Sequence, residues 1–233
     1  MLENLKEEVL IANKRLIESG LVVLTWGNAS GYDANEKLCV IKPSGVDYSK
    51  MKASDMVVLD LDGNIVEGDL RPSSDTPTHL EFYKAFADAG VAGAVHTHSI
   101  EATAWAQAAR EISCYGTTHA DQFHGAVPCT RHLTAEEVEE DYEGNTGKVI
   151  VELFEGTNPL ERPGVLVAGH APFTWGKTAD AAVDNAIALE AFARMARLTE
   201  MLSSQKPSPE LPTYVGEKHF MRKHGPNAYY GQN

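Results

Sequence analysis

The sequence predicts an α/β domain whose sheet is mixed or largely antiparallel and covered by helices. Three observations support this. Segments with helical apolar spacing recur along the whole chain among short apolar, β-branched runs, as expected where helices pack on strands. Hairpin-short connections occur beside connections long enough to be crossovers. At 233 residues, 43% hydrophobic and 23% charged, the chain suits one sizeable domain with a real core.

Taken in order, Leu2, Leu5, Val9, Leu16 and Ile17 mark a helix over 2–19, and Gly20 stands where a helix C′ residue belongs. Residues 21–26 read as a strand running into a turn at Gly27-Asn28-Ala29-Ser30-Gly31. A second strand, 38–42, ends at Pro43-Ser44-Gly45. Asp62-Gly63 joins 56–61 to 64–67 as a hairpin. Asp75 or Thr76 can cap a helix reaching about residue 89, with Pro77 in its first turn. A strand follows over 94–98, then a helix over 99–109 and a strand over 125–130. Thr134 and Glu137 form a capping-box pattern. Residues 145–154 fit a short helix or a strand equally. A strand at 165–170 and an extended piece at 174–177 precede the longest helix, 178–202. A proline-containing connector, 203–212, leads into a tail rich in Lys, His and Tyr. No Gly-x-Gly-x-x-Gly follows a strand and no Walker lysine motif occurs, which excludes a doubly wound nucleotide fold.

A net charge of −13 argues against nucleic acid or an anionic membrane surface as the partner. No window approaches the roughly 18 apolar residues of a membrane span. The first residues show no basic or apolar signal region, so a cytoplasmic location is expected. Cys39, Cys114 and Cys129 are odd in number and far apart, which fits neither a disulfide framework nor a cysteine metal knuckle.

Chemistry gathers first at Ala94-Val95-His96-Thr97-His98. In a strand, residues i and i+2 share a face, so His96 and His98 would project side by side. Taken alone, such a pair can also be one buried and one solvated histidine. A second apolar run ending in His170 and a nearby Asp75 favour a metal site, and three imidazoles with a carboxylate suit Zn²⁺ best. Without His-Glu-x-x-His, a zincin protease is excluded. Secondly, Gly27-Asn28, Ser44-Gly45 and Ser73-Ser74 are short loops offering backbone N–H groups, hydroxyls and an amide, with Lys42 as the one adjacent cation. Each alone is an ordinary tight turn; converging, they form an anion pocket. Thirdly, Asp121 ends the polar stretch Thr117-Thr118-His119-Ala120, where it can move protons or equally be a solvated, turn-capping residue.

Together these blocks resemble the class II sugar-phosphate aldolase/epimerase (aldolase class II/adducin-like) family, and within it the L-ribulose-5-phosphate 4-epimerases. The similarity runs through Leu24–Asn28, Ile41–Tyr48, Pro72–His79, His96–Ser99, Gly116–Asp121, Pro128–Arg131 and Arg222–Gly225, and ends with Tyr229-Tyr230-Gly231-Gln232. The resemblance implies an α/β/α sandwich over 1–233, with 204–233 a tail reaching a subunit interface in a C4 homotetramer. It implies one Zn²⁺ per subunit at Asp75, His96, His98 and His170. Phosphate contacts would fall to Gly27, Asn28, Ser44, Gly45, Ser73 and Ser74, with Lys42 close by. Asp121 and Tyr230 would transfer protons, and His219 would stand near the site. The implied reaction is C4 epimerisation of L-ribulose 5-phosphate to D-xylulose 5-phosphate, with an L-fuculose-1-phosphate type aldolase as the alternative. Related aldolases have Glu where Asp75 stands. The family fold also occurs as a metal-free head domain that has lost these histidines. Because the tail follows a connector, Tyr230 is expected to act across an interface, so inactive Asp121→Asn and Tyr230→Phe subunits would complement one another.

Overall fold

The computed structural model describes residues 2–230, so Gly231 and Gln232 of the last sequence block lie outside the described residues. Seven strands form one sheet: β1 (Gly27–Asp33), β2 (Leu38–Ile41), β3 (Val57–Asp60), β4 (Ile65–Glu67), β5 (Gly93–Thr97), β6 (Gly164–Leu166) and β7 (Pro172–Gly176). Their spatial order is β4-β3-β2-β1-β5-β7-β6, and every pairing in it is antiparallel. The one parallel pairing among the described residues is an isolated bridge between Cys129 and Leu166.

Alternation along the strands builds two cores. Val40, Val58 and Val95 face one way, against α1 (Glu3–Glu18) and the first half of α6 (Ala179–Leu202). Ile41, Val57, Leu59 and Ala94 face the other, against α2 (Thr76–Phe86) and α5 (Ala135–Leu153), where Phe82, Phe86, Phe173 and Trp175 interlock. The result is the three-layer α/β/α sandwich. A third cluster, including Trp105, Phe123, Leu166 and Phe192, seats α3 (Ile100–Gln107) on the far half of α6. The short α4 (Thr117–Ala120) and the C-terminal α7 (Thr213–His224) pack together at that end.

Several sequence signals act as expected. Thr134 accepts from the Glu137 N–H at 3.2 Å while Glu137 accepts from the Thr134 N–H at 2.8 Å. Gly20 adopts φ +72° after α1. The three cysteines are free. No helix among the described residues is long and apolar enough to cross a membrane.

Other expectations are corrected. The first strand begins at Gly27, where a turn was expected, and 21–26 is irregular, with Leu24 at φ +55°. Residues 145–154, for which helix and strand fit the sequence equally, form the end of a helix, α5, and its cap Phe154, and the backbone of α5 breaks at Asp141 (φ −163°, ψ 87°). Residues 125–130 make only isolated bridges, from Val127 and Cys129. The strand expected to end at His170 stops at Leu166. His170 sits instead in the tight connection to β7, where its N–H donates to the Val167 carbonyl at 2.9 Å.

Candidate active site

The register of the sheet's centre assembles the site. Asn28 on β1 lies directly opposite His96 on β5, and His96 lies opposite Phe173 on β7. The His96 ring stacks on Phe173 at 4.1 Å, which fixes its plane. The Pro172 carbonyl, 3.0 Å from Nδ1, accepts its proton and leaves Nε2 as the free lone pair. His98 follows one residue beyond the strand end, and the β6–β7 connection brings His170 beside both. Ring centroids are 4.8 Å apart for His96–His98, 4.9 Å for His96–His170 and 5.1 Å for His98–His170.

One nitrogen from each ring falls within a group no wider than 4.8 Å, the one group of this kind among the described residues. Burial pushes the His96 imidazole down to about 4 and lowers His98 and His170 as well. All three are therefore neutral near pH 7, the state in which imidazole binds a metal. Nδ1 of His170 is buried and has no hydrogen-bond partner. An orphaned ring nitrogen beside two neutral imidazoles, one of them oriented by Pro172 and Phe173, fits a divalent cation.

Asp75 stands in the same cavity but outside that cluster. It occupies the N-cap position of α2 without capping it. Its carboxylate instead accepts from the Asn28 amide at 2.6 Å. Burial acts to raise this carboxyl, but His96, His79 and the Asn28 hydrogen bond outweigh it and hold it below the usual carboxylate range.

The cavity, of about 350 Å³, is lined by Asp75, His96, His98 and His170 together with Gly27, Asn28, Lys42, Ser44, Gly45, Ser73 and Ser74. The three loops do converge, although fewer N–H groups are free than expected. Gly27 donates to Thr25 at 3.0 Å within its own turn, and the antiparallel bridge between Pro43 and Pro72 ties the other two loops together, with Ser44 donating to Arg71 at 2.8 Å and Ser73 to Lys42 at 3.1 Å. The donors left to a ligand are the N–H groups of Gly45 and Ser74, the exposed hydroxyls and Lys42. Gly45 adopts φ +69°, which its turn requires. Gly27 is needed for closeness: a Cβ there would meet Val22 at 2.6 Å and the His96 carbonyl at 3.0 Å.

Lys42 is buried, donates to the Pro43 carbonyl at 3.0 Å, and lies 5.1 Å from the Tyr48 ring centroid. Burial lowers its ammonium, and Asp75 opposes that. Tyr48 also donates to the Gly27 carbonyl, joining the lysine strand to the glycine turn. Tyr142 and Glu143, which also line the cavity, escaped the sequence reading. They lie inside an acidic run and reach the cavity only because α5 breaks at Asp141, whose carboxylate accepts from the Gly144 N–H at 3.1 Å. A glycine at 144 was the one available signal.

Asp121, His219 and Tyr230 are brought together, but elsewhere: none lines this cavity. Asp121 follows α4 and accepts from Arg222 at 2.9 and 2.7 Å and from His219 at 3.0 Å. Burial acts to raise its carboxyl, while Arg222 and His219 lower it further, leaving it below the ordinary range. The Arg222 guanidinium lies 4.6 Å from the Tyr230 ring centroid. Phe220, buried between the rings of His124 and His224, docks α7 on its own chain. Through Arg222, Asp121 and Tyr230 of one chain form one unit.

The chain matches the family described as class II aldolase and adducin N-terminal domain over residues 7–197. Among solved structures it is similar to an L-fuculose 1-phosphate aldolase at 27% identity and TM-score 0.77, over 93% of this chain and 94% of that one. It shares its fold with YgbL of Klebsiella pneumoniae, a candidate aldolase/epimerase/decarboxylase, at 21% identity and TM-score 0.73, over 94% of this chain and 99% of that one. It also shares it with an L-fuculose 1-phosphate aldolase from Glaciozyma antarctica, at 17% identity and TM-score 0.75, over 94% and 81%.

Proposed function

The chain belongs to the class II aldolase and adducin family, and on that premise we propose that it epimerises L-ribulose 5-phosphate to D-xylulose 5-phosphate at C4. The single observation that supports this best is the cavity itself, which places three neutral imidazoles beside Lys42 and the serine loops. Asp75, at a position where related aldolases have Glu, favours the epimerase over the aldolase branch.

C4 of a 2-ketopentose phosphate bears no acidic hydrogen, because the carbonyl is at C2. Inversion there proceeds by opening the C3–C4 bond to a three-carbon enediolate and glycolaldehyde phosphate, then closing it on the other face. His96, His98 and His170 would hold a divalent cation, for which zinc is the best match to the donors, and when bound it would supply Lewis-acid stabilisation of negative charge. Lys42 and the Gly45 and Ser74 donors hold the phosphate, so the aldehyde stays in place while its carbonyl face turns over. Asp121 and Tyr230 of a neighbouring subunit exchange a proton with the C4 oxygen, one for each epimer. A C4 tetramer in the cytoplasm completes this reading.

The likeness to an L-fuculose 1-phosphate aldolase supports a second reading, an aldolase that releases its fragments. Incubating the zinc-loaded protein with L-ribulose 5-phosphate and following it by ³¹P and ¹H NMR separates them. Epimerisation accumulates D-xylulose 5-phosphate. Accumulation of glycolaldehyde phosphate without it overturns the proposal.

A further inference from the structure

We infer that Arg222 is the positioning residue of the proton-transfer half: its guanidinium holds the Asp121 carboxylate and the Tyr230 ring as one rigid unit. This rests on the reading that Asp121 and Tyr230 exchange protons with substrate.

Three contacts converge on this residue. Its Nε and Nη2 donate to the two different oxygens of Asp121, a bidentate fork that fixes the carboxylate plane. The face of the same guanidinium lies over the Tyr230 ring. Its carbonyl accepts from the N–H groups of Tyr229 at 2.9 Å and Tyr230 at 3.1 Å, folding the chain end back over the side chain. Among the described residues, no other group touches both the Asp121 carboxylate and the Tyr230 ring.

The neighbouring side chains are engaged differently. His219 meets one Asp121 oxygen only. His224 donates to the backbone carbonyl of Asp121 at 2.9 Å, and Lys223 donates to Gln122. A partly exposed ion pair contributes little to stability, so the value of this arrangement lies in geometry. Two groups that must address one oxygen atom from opposite sides need a fixed separation, and misplacement by about 1 Å can cost about a hundredfold in rate. Lysine cannot replace the residue, since an ammonium neither forks onto both oxygens nor stacks on a ring.

The test uses full-length Arg222→Gln, Arg222→Lys and Arg222→Ala with two readouts. The first is kcat and KM on L-ribulose 5-phosphate with bound metal quantified. The second is the titration of the Asp121 carboxyl followed by ¹³C NMR, assigned by its loss in Asp121→Asn. Both Gln and Lys variants should lose about ten- to a hundredfold in kcat, with KM within about twofold and metal content unchanged. The Asp121 titration should move upward in Arg222→Gln and less in Arg222→Lys. Guanidinium ion added to Arg222→Ala should restore part of kcat, which a merely structural arginine would not permit. Wild-type kcat in the Lys variant, or an Asp121 titration in Arg222→Gln that coincides with wild type, overturns the inference. A wild-type protein without turnover sinks the epimerase reading, and the carboxyl titration still decides the role of Arg222.

Discussion

The two halves of the candidate site are built on opposite principles. The imidazole half lies at the centre of the sheet and is neutral, with His98 and His170 half-buried and His96 buried and held by strand register, a stacked Phe173 and a backbone carbonyl. The other half, to which the proposed reading gives proton transfer, lies at the ends of α4 and α7, partly exposed and charged, with Asp121 held by Arg222 and His219. The first is a cavity that also holds Asp75, Tyr142 and Glu143; the second has ionised groups and shares no residue with that cavity. Metal binding needs deprotonated, desolvated nitrogens on a rigid frame, whereas proton exchange needs a group that solvent and substrate can reach. On the proposed reading each half is suited to one task.

Variants that break the two halves separately should show the largest effects. His98→Asn is expected to lose bound zinc and to lower turnover by more than about a hundredfold, read by metal analysis beside the rate. Asp121→Asn is expected to keep full zinc occupancy while kcat falls by about 10²–10⁴. Loss of zinc in the second variant would merge halves described here as distinct. Next, Lys42→Gln should raise KM by about ten- to a hundredfold, as expected for losing a charge-assisted contact, with little change in kcat. Inhibition by inorganic phosphate should weaken in parallel.

A smaller effect is expected from Tyr48→Phe, which removes the donor to the Gly27 carbonyl. A loss of about 1 kcal/mol in unfolding free energy and a severalfold rise in KM would fit one hydrogen bond. The smallest effect concerns acid. The Asp121 carboxyl sits below its ordinary range, so its pairing favours the docked α7 at higher pH and is lost as pH falls through that lowered midpoint. Amides of α7 should lose hydrogen-exchange protection below about pH 4, ahead of those in β1 and β5. Simultaneous loss would place α7 within the core's cooperative unit.

Much of the imidazole half was legible because its residues sit in short motifs at strand ends, where period-two geometry and loop composition speak directly. His96, His98, Lys42, Ser44 and the Ser73-Ser74 pair are of this kind. His170 was found for a partly wrong reason, since its apolar run stops early and the histidine belongs to a tight connection. Glu143 was hidden because a break inside a helix is invisible to periodicity. Strand 27–33 was missed because Gly27-Asn28-Ala29-Ser30-Gly31 has turn composition. Its small residues instead allow close packing against the neighbouring strand and α1: a Cβ at Gly31 would meet Leu5 at 2.6 Å. The partnership of Asp121 with Arg222 spans 101 residues, and no local pattern announces it.

Subunit mixing tests most directly whether one site takes its halves from two chains. His98→Asn and Asp121→Asn proteins, each expected to be inactive, are dissociated, combined in equal amounts and reassembled. In a ring with head-to-tail interfaces, about a quarter of the sites then pair an intact imidazole half with an intact Asp121 unit. About a quarter of wild-type activity should return, whereas Asp121→Asn mixed with Tyr230→Phe should recover none. Recovery in the second mixture and silence in the first, with mixed tetramers confirmed by native mass spectrometry, would contradict the account.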